Sequence, residues 1–166
     1  MKKQKNIIMA LGWLLVLLAG AQAQSNNTKE YKGQGYAFAA PLVSNYGDSG
    51  WQTGFGGEGL VYKGLGVGGE VSYLKLGGYT YGLGAVSPNA SYHFRGLTKD
   101  GKLVPFVTGG YSLYFRNGVA HGLNFGGGVN YWFKERVGLR VEVRDQVLPF
   151  DGTLHYVGFR AGISFR

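Results

Sequence analysis

Val86-Ser87-Pro88-Asn89-Ala90-Ser91-Tyr92-His93-Phe94-Arg95 decides the fold class. Successive side chains of an extended chain point to opposite faces, so Val86, Pro88, Ala90, Tyr92 and Phe94 share one face and Ser87, Asn89, Ser91, His93 and Arg95 the other. One face is apolar and the other polar. A period of two over this length marks a strand and not a helix. The dyad recurs downstream. Leu123, Phe125, Val129, Tyr131 and Phe133 alternate with Asn124, Gly126, Gly128, Asn130 and Trp132; Val137, Leu139, Val141 and Val143 with Gly138, Arg140, Glu142 and Arg144; and Val157, Phe159, Ala161, Ile163 and Phe165 with Tyr156, Gly158, Arg160, Gly162 and Ser164.

Working outward, eight segments of about ten residues are bounded by Gly, Asn, Asp or Lys clusters: 33–41, 52–62, 66–76, 84–95, 103–115, 122–133, 137–145 and 155–165. No helical period appears. The composition agrees: 31 of 166 residues are glycine, about 19% against a usual share of roughly 7%, which excludes a helical bundle. Aromatics make up 15% and there are only 4 prolines, which excludes disorder and collagen. The absence of cysteine removes disulfide scaffolds, thiolate metal sites and thiol nucleophiles. The expected fold is all-β, an eight-stranded antiparallel up-and-down barrel.

Before the first strand, Lys2, Lys3 and Lys5 precede an apolar run from Ile7 to Gly20 and then Ala21-Gln22-Ala23. This is the layout of a cleaved export signal, too short for a membrane-spanning helix. The expected organisation is a signal over 1–23, a polar linker over 24–32 and a barrel over 33–166. Without the three signal lysines the formal charge falls from +8 to +5. An exported basic chain is expected to meet anionic lipid or lipopolysaccharide and not nucleic acid.

Alternation alone does not say whether the apolar face meets lipid or a core. Residue choice does. The polar set mixes Gly with Ser, Asn, Arg and Glu, which suits a narrow, filled interior better than a water-facing surface rich in Lys and Thr. Aromatics gather at strand ends on the apolar face, with Tyr92, Phe94, Tyr131, Phe133 and Phe165 at one rim and Tyr73, Tyr111 and Phe115 at the other. Such girdles mark the two interfaces of a transmembrane barrel. The alternative is a soluble lipocalin-like barrel with these aromatics in its core.

The exported start, Asn124-Phe125-Gly126-Gly127-Gly128-Val129-Asn130-Tyr131-Trp132-Phe133, Val137-Gly138-Leu139-Arg140-Val141-Glu142-Val143-Arg144 and the closing Val157-Gly158-Phe159-Arg160-Ala161-Gly162-Ile163-Ser164-Phe165 together resemble the small eight-stranded outer-membrane barrels of the outer-membrane protein A and X type. The likeness covers nearly all of the chain after residue 23. It implies a monomeric protein of the Gram-negative outer membrane, with a charge-plugged lumen and a last strand read by the barrel-assembly machinery. Members commonly end in an aromatic residue, whereas here Arg166 follows Phe165. The resemblance is nearly silent on function. It admits a structural or surface role and, as alternative, a lipid A deacylase or acyltransferase.

Glu58, Glu70, Arg95, Arg140, Glu142, Arg144 and Arg160 all fall on polar sets. Glu58 and Glu70 lie on neighbouring segments and would repel each other unless guanidinium groups reach them from the opposite wall, where Arg140 and Arg160 sit at comparable depth. A buried unpaired charge is costly, so a paired network filling the lumen is expected. An eight-stranded interior is just wide enough to be filled by side chains, which disfavours a gated ion path.

Other motifs carry less. Gly54-Phe55-Gly56-Gly57-Glu58-Gly59 and Gly64-Leu65-Gly66-Val67-Gly68-Gly69 satisfy the dinucleotide fingerprint, but neither precedes a helix. His93, His121 and His155 lack metal-ligand spacing, so no metal or other cofactor is expected. Ser91 and His93 share a face as a serine-hydrolase pair would, yet no carboxylate is placed beside them by sequence alone, and no catalytic residue is assigned. External loops are expected at about 42–51, 77–83, 116–121 and 146–154, and periplasmic turns at 63–65, 96–102 and 134–136. Tyr46, Asp48 and Trp51 in the first loop and Pro149, Phe150 and Asp151 in the fourth are the candidate surface contacts. With the eighth segment closing the chain, no peptidoglycan-binding domain is expected to follow.

Overall fold

A computed structural model describes residues 32–77, 81–150 and 152–166. The expected export signal and residues 24–31 of the expected linker lie outside the described residues, as does Asp151. Eight strands form: β1 (Gly33–Ser44), β2 (Ser49–Tyr62), β3 (Leu65–Leu76), β4 (Leu83–His93), β5 (Leu103–Phe115), β6 (Val119–Trp132), β7 (Val137–Phe150) and β8 (Gly152–Phe165). Each pairs antiparallel with its neighbours in chain order, and β1 closes on β8 between Gly35↔Phe165 and Ser44↔Tyr156. Closure leaves no unpaired edge, the condition for sheet to survive in lipid.

The faces are inverted relative to a soluble protein. Phe55, Val67, Val71, Phe125, Val141 and Phe159 are exposed on the outer wall, whereas Glu70, Arg140, Glu142, Arg144 and Arg160 are at most 3% exposed inside. An exposed apolar band encircling the barrel has no place in water. The lipocalin-like alternative, which needs those side chains in a core, is excluded by this register.

One expectation needs correction, and one strand departs from the dyad of the others. The strands run further at the outer end than the loop signals suggested. The ladder continues to Val43↔Ser49 and, on the far side, through Leu148↔Leu154 to Phe150↔Gly152. The first outer connection therefore shrinks to 45–48 and the fourth to residue 151, and Trp51 lies on the barrel wall. The β1–β2 turn is tied by Ser44 Oγ, which accepts the N–H groups of Tyr46 at 3.2 Å and Asp48 at 2.9 Å. The extension has a physical reason, since Leu42, Leu74, Leu76, Ala85, Tyr114, Leu148 and Tyr156 point inward there and form an apolar cluster. The lumen is thus oily at its outer end, not polar throughout.

The departing strand is β1. Gln34, Tyr36, Phe38, Ala40 and Leu42 are buried inside, while small Ala37 and Ala39 face out. Its large residues face the lumen, opposite to the pattern of the strands that decided the fold. Glycines make the space for such side chains. At Gly56 a Cβ would sit 2.6 Å from Tyr36 Cζ, and at Gly158 one would sit 2.9 Å from Leu42 Cδ2. Both distances are too short to be occupied.

Candidate functional site in the barrel lumen

The polar middle of the lumen is built by β2, β3, β7 and β8. Three acids and three arginines meet there. Arg160 Nη1 donates to Glu70 Oε2 at 2.8 Å and its Nη2 to Gln52 Oε1 at 3.0 Å. Arg144 Nε donates to Glu142 Oε1 at 2.5 Å, and its Nη1 lies 3.5 Å from Glu70 Oε2. Arg140 Nε and Nη2 both lie 3.1 Å from Glu142 Oε2, and its Nη1 reaches Glu58 Oε1 at 3.9 Å. The arginines of β7 and β8 therefore span the lumen to the acids of β2 and β3. Glu142 and Arg160 are also register partners, 4.0 Å apart at their tips.

Neutral groups complete the cluster. Tyr36 Oη donates to Glu70 at 3.2 Å, Asn124 Oδ1 accepts from Arg144 at 3.3 Å, and Gln146 Nε2 donates to Gln52 Oε1 at 3.2 Å. The planar guanidinium groups lie over rings, Arg140 at 3.8 Å from the Phe106 centroid and 4.2 Å from Tyr36, and Arg160 at 4.2 Å from Phe38. Such stacking suits arginine and not lysine. It accounts for the inward aromatics of β1.

Six of the seven expected lumen charges, Glu58, Glu70, Arg140, Glu142, Arg144 and Arg160, thus come together. Arg95 lies past the end of β4, half-buried at the rim, and the ion pairs of the cluster run through the other six. His93, Gln52, Gln146, Asn124 and Tyr36 were not assigned to the cluster from sequence. Their parity on each strand was the available signal, since all are inward positions.

Toward the rim that carries the chain termini, Glu58 meets Ser91 and His93. Ser91 Oγ lies 3.2 Å from His93 Nε2 and donates to Glu58 Oε2, while Glu58 Oε1 lies 3.1 Å from the same His93 Nε2. Gln34 Nε2 donates to Glu58 at 2.5 Å. Glu58 reaches across β3 to β4 because Gly66 and Gly68 occupy the inward positions between them. A Cβ at Gly66 would stand 2.6 Å from Glu58 Oε2. A carboxylate does therefore stand beside the Ser91 and His93 pair. The arrangement is nevertheless not a charge-oriented catalytic triad, because serine and carboxylate share one ring nitrogen instead of taking opposite ones. The adjoining recess, lined by Tyr36, Glu58, Asn89, Ser91, Thr108 and Arg140, is about 10 Å³, room for one water. Below it Trp132 and Asn130 are buried, with Ser164 Oγ donating to Asn130 Oδ1 at 3.2 Å.

On the outer wall, Tyr73, Tyr111, Phe115, Tyr131, Phe133 and Phe165 are exposed, and Tyr92 and Phe94 are half-buried with their rings edge to face at 5.1 Å. Trp51 joins the outer rim at 5.7 Å from the Tyr73 ring, and Tyr62 joins the inner one.

No family model matches the chain, and no curated protein matches it. Solved structures do. Neisserial surface protein A is 18% identical, with a TM-score of 0.59, covering 80% of this chain and 94% of that one. The N-terminal β-barrel domain of OprF from Pseudomonas aeruginosa is 15% identical, with a TM-score of 0.55, covering 82% and 100%. The outer membrane enzyme PagL is 15% identical, with a TM-score of 0.60, covering 76% and 97%. The chain has the closed eight-stranded fold of the small outer-membrane β-barrels.

Proposed function

We propose that the protein is an integral outer-membrane barrel with a structural or surface role, whose lumen is plugged and passes no solute. The filled lumen carries this reading. Support comes from an apolar tier at the outer end, the paired charges at mid-height and Trp132 below, and from the recess beside Glu58 and Arg140, which is the size of one water. Lipid and lipopolysaccharide surround the wall in this reading, the last strand serves recognition by the assembly machinery, and the barrel acts as a monomer. In planar bilayers the purified protein should give no steady conductance, while its unboiled form migrates apart from the boiled one on detergent gels. Stable single-channel steps would overturn the plug.

A second reading, an outer-membrane enzyme acting on lipid A acyl chains, is favoured by one observation: the contact of Glu58 with Ser91 and His93. Its difficulty is access, since Ser91 and His93 are buried in the lumen and the recess holds no acyl chain. Incubation with lipid A should release no fatty acid. Release that disappears in Ser91→Ala would establish the enzyme.

A further inference from the structure

Four strands, β2, β4, β6 and β8, run toward the rim that carries the chain termini, and each leaves the wall through the same doublet. These are Tyr62-Lys63, Phe94-Arg95, Phe133-Lys134 and Phe165-Arg166, an aromatic residue followed by a basic one. Lys32, Lys99, Lys102 and Arg136 stand in the same rim, all exposed, and among the described residues only Asp100 and Glu135 oppose them. Six of these eight cations are exposed, whereas Arg95, with Nε and Nη2 buried, and Arg166, with its guanidinium over the buried Trp132, turn toward the lumen mouth; the rim totals +6, of which the exposed side chains carry +4. Elsewhere the described charges cancel: Lys75 and Arg116 against Asp48 and Asp145 toward the outer end, and three arginines against three glutamates in the lumen.

We infer that this collar binds the anionic headgroups of the phospholipid leaflet that borders it, an inference that rests on the outer-membrane reading above. The juxtaposition of ring and charge sets the depth. Exposed aromatic residues settle at the headgroup level of a membrane, and each basic residue follows its ring by one position, about 3.3 Å along an extended chain. The connections hold the cations there. Lys63 and Gly64 form a two-residue turn with φ of 35° and 94°, and Lys63 Nζ lies 5.2 Å from the Tyr62 ring centroid. Lys134 N–H donates to Val137 O at 3.1 Å, closing the β6–β7 turn. Arg166 Nε donates to Glu135 O at 2.7 Å and its guanidinium lies over Trp132 at 4.3 Å. Exposed Lys63 and Lys134 stand one residue from the girdle, with exposed Lys32, Lys99, Lys102 and Arg136 in the same rim, a placement that suits lipid phosphates better than a distant polymer. Arg166, a departure from the common terminal aromatic, repeats the doublet in sequence while its guanidinium turns over Trp132.

The test uses the full-length barrel after export processing, with Lys63→Gln, Lys99→Gln, Lys102→Gln and Lys134→Gln combined in one variant. Both proteins are folded in phosphatidylcholine vesicles containing spin-labelled phosphatidylglycerol or spin-labelled phosphatidylcholine, and the motionally restricted fraction is read. The parent should restrict phosphatidylglycerol several-fold more than phosphatidylcholine at 0.1 M salt. The preference should fall toward unity in the variant and in the parent at 1 M salt, where screening is short-ranged. Equal restriction of the two lipids by the parent, or an undiminished preference in the variant, would overturn the collar. So would tight, lysine-dependent binding of soluble peptidoglycan fragments without lipid preference, which would assign the charge to the cell wall. Heat-modifiable migration reports the fold separately, so a parent that fails to insert refutes the membrane reading and not the collar.

Discussion

Replacing Arg160 by leucine removes the cation at the centre of the lumen. Its Nη1 and Nη2 hold Glu70 at 2.8 Å and Gln52 at 3.0 Å. Hydrogen bonds to charged groups contribute about 1.5 to 3 kcal/mol each, so two account for about 3 to 6 kcal/mol. Breaking one partner of a buried ion pair costs about 3 to 5 kcal/mol by a separate route. The two converge, and Arg160→Leu should lower stability by about 3 to 5 kcal/mol. Glu70 would then keep only Arg144 at 3.5 Å and Tyr36 at 3.2 Å. Adding Glu70→Gln neutralises the stranded carboxylate while leaving an acceptor for Tyr36, and should recover at least about 1 kcal/mol of the loss. Urea unfolding of the parent, both single variants and the double variant in lipid vesicles gives the cycle. A single variant within about 1 kcal/mol of the parent, or strictly additive losses, would refute the idea that the lumen charges act as one unit.

Other substitutions probe the wall and the outer tier. Val141 lies mid-strand on the lipid face, 51% exposed, so Val141→Arg should cost about 2 to 4 kcal/mol in vesicles, read by the same unfolding assay. Leu74, 2% exposed in the apolar cluster, should lose about 2 to 5 kcal/mol on replacement by alanine; a loss below about 1 kcal/mol would mean that water already enters there. In the β4–β5 connection, the Lys102 N–H donates to Asp100 Oδ1 at 3.2 Å and, with the Thr98 hydroxyl, holds the carboxyl below its ordinary pKa. Since the folded value is the lower one, this ordering of the turn is fully present above about pH 3.9 and is lost as pH falls through the depressed value. Carboxyl-carbon NMR of Asp100 should show the lowered midpoint, and Thr98→Val should raise it.

How much of this was legible depended on how many residues took part in each pattern. Strand number and parity were readable because Val137 to Arg144 and Val157 to Phe165 repeat a period of two without interruption, and a one-residue slip would have thrown arginine into lipid. The pairing of Arg140 and Arg160 with Glu58 and Glu70 followed from depth alone. What escaped were features set by tertiary context. The inward Tyr36 and Phe38 of β1 have small outward partners, so their strand carries no polar stripe to signal its lumen face. The outer end of β7 contains Pro149 and is followed in sequence by Asp151, residue types common in loops, while the inward Leu148, Leu154 and Tyr156 that extend the ladder are meaningful only once Leu42 and Leu74 face them. Glu58 joined Ser91 and His93 through Gly66 and Gly68, a contact across three strands that no local spacing encodes.

The tightness of the outer connections governs how the barrel can enter a bilayer. Each hairpin must carry its tip through hydrocarbon, and a charge at the bilayer centre costs about 2.5 to 3.5 kcal/mol. Among the described residues the first and third tips span 45–48 and 116–118 and hold one charge each, Asp48 and Arg116, and in sequence the stretches between the other strand ends, 77–82 and 151, add Asp151 alone. The opposite end would have to drag eight cations and two acids along the same route. Insertion tip-first is therefore the expected route, with the sparsely charged tips leading and the basic rim staying on the side of departure.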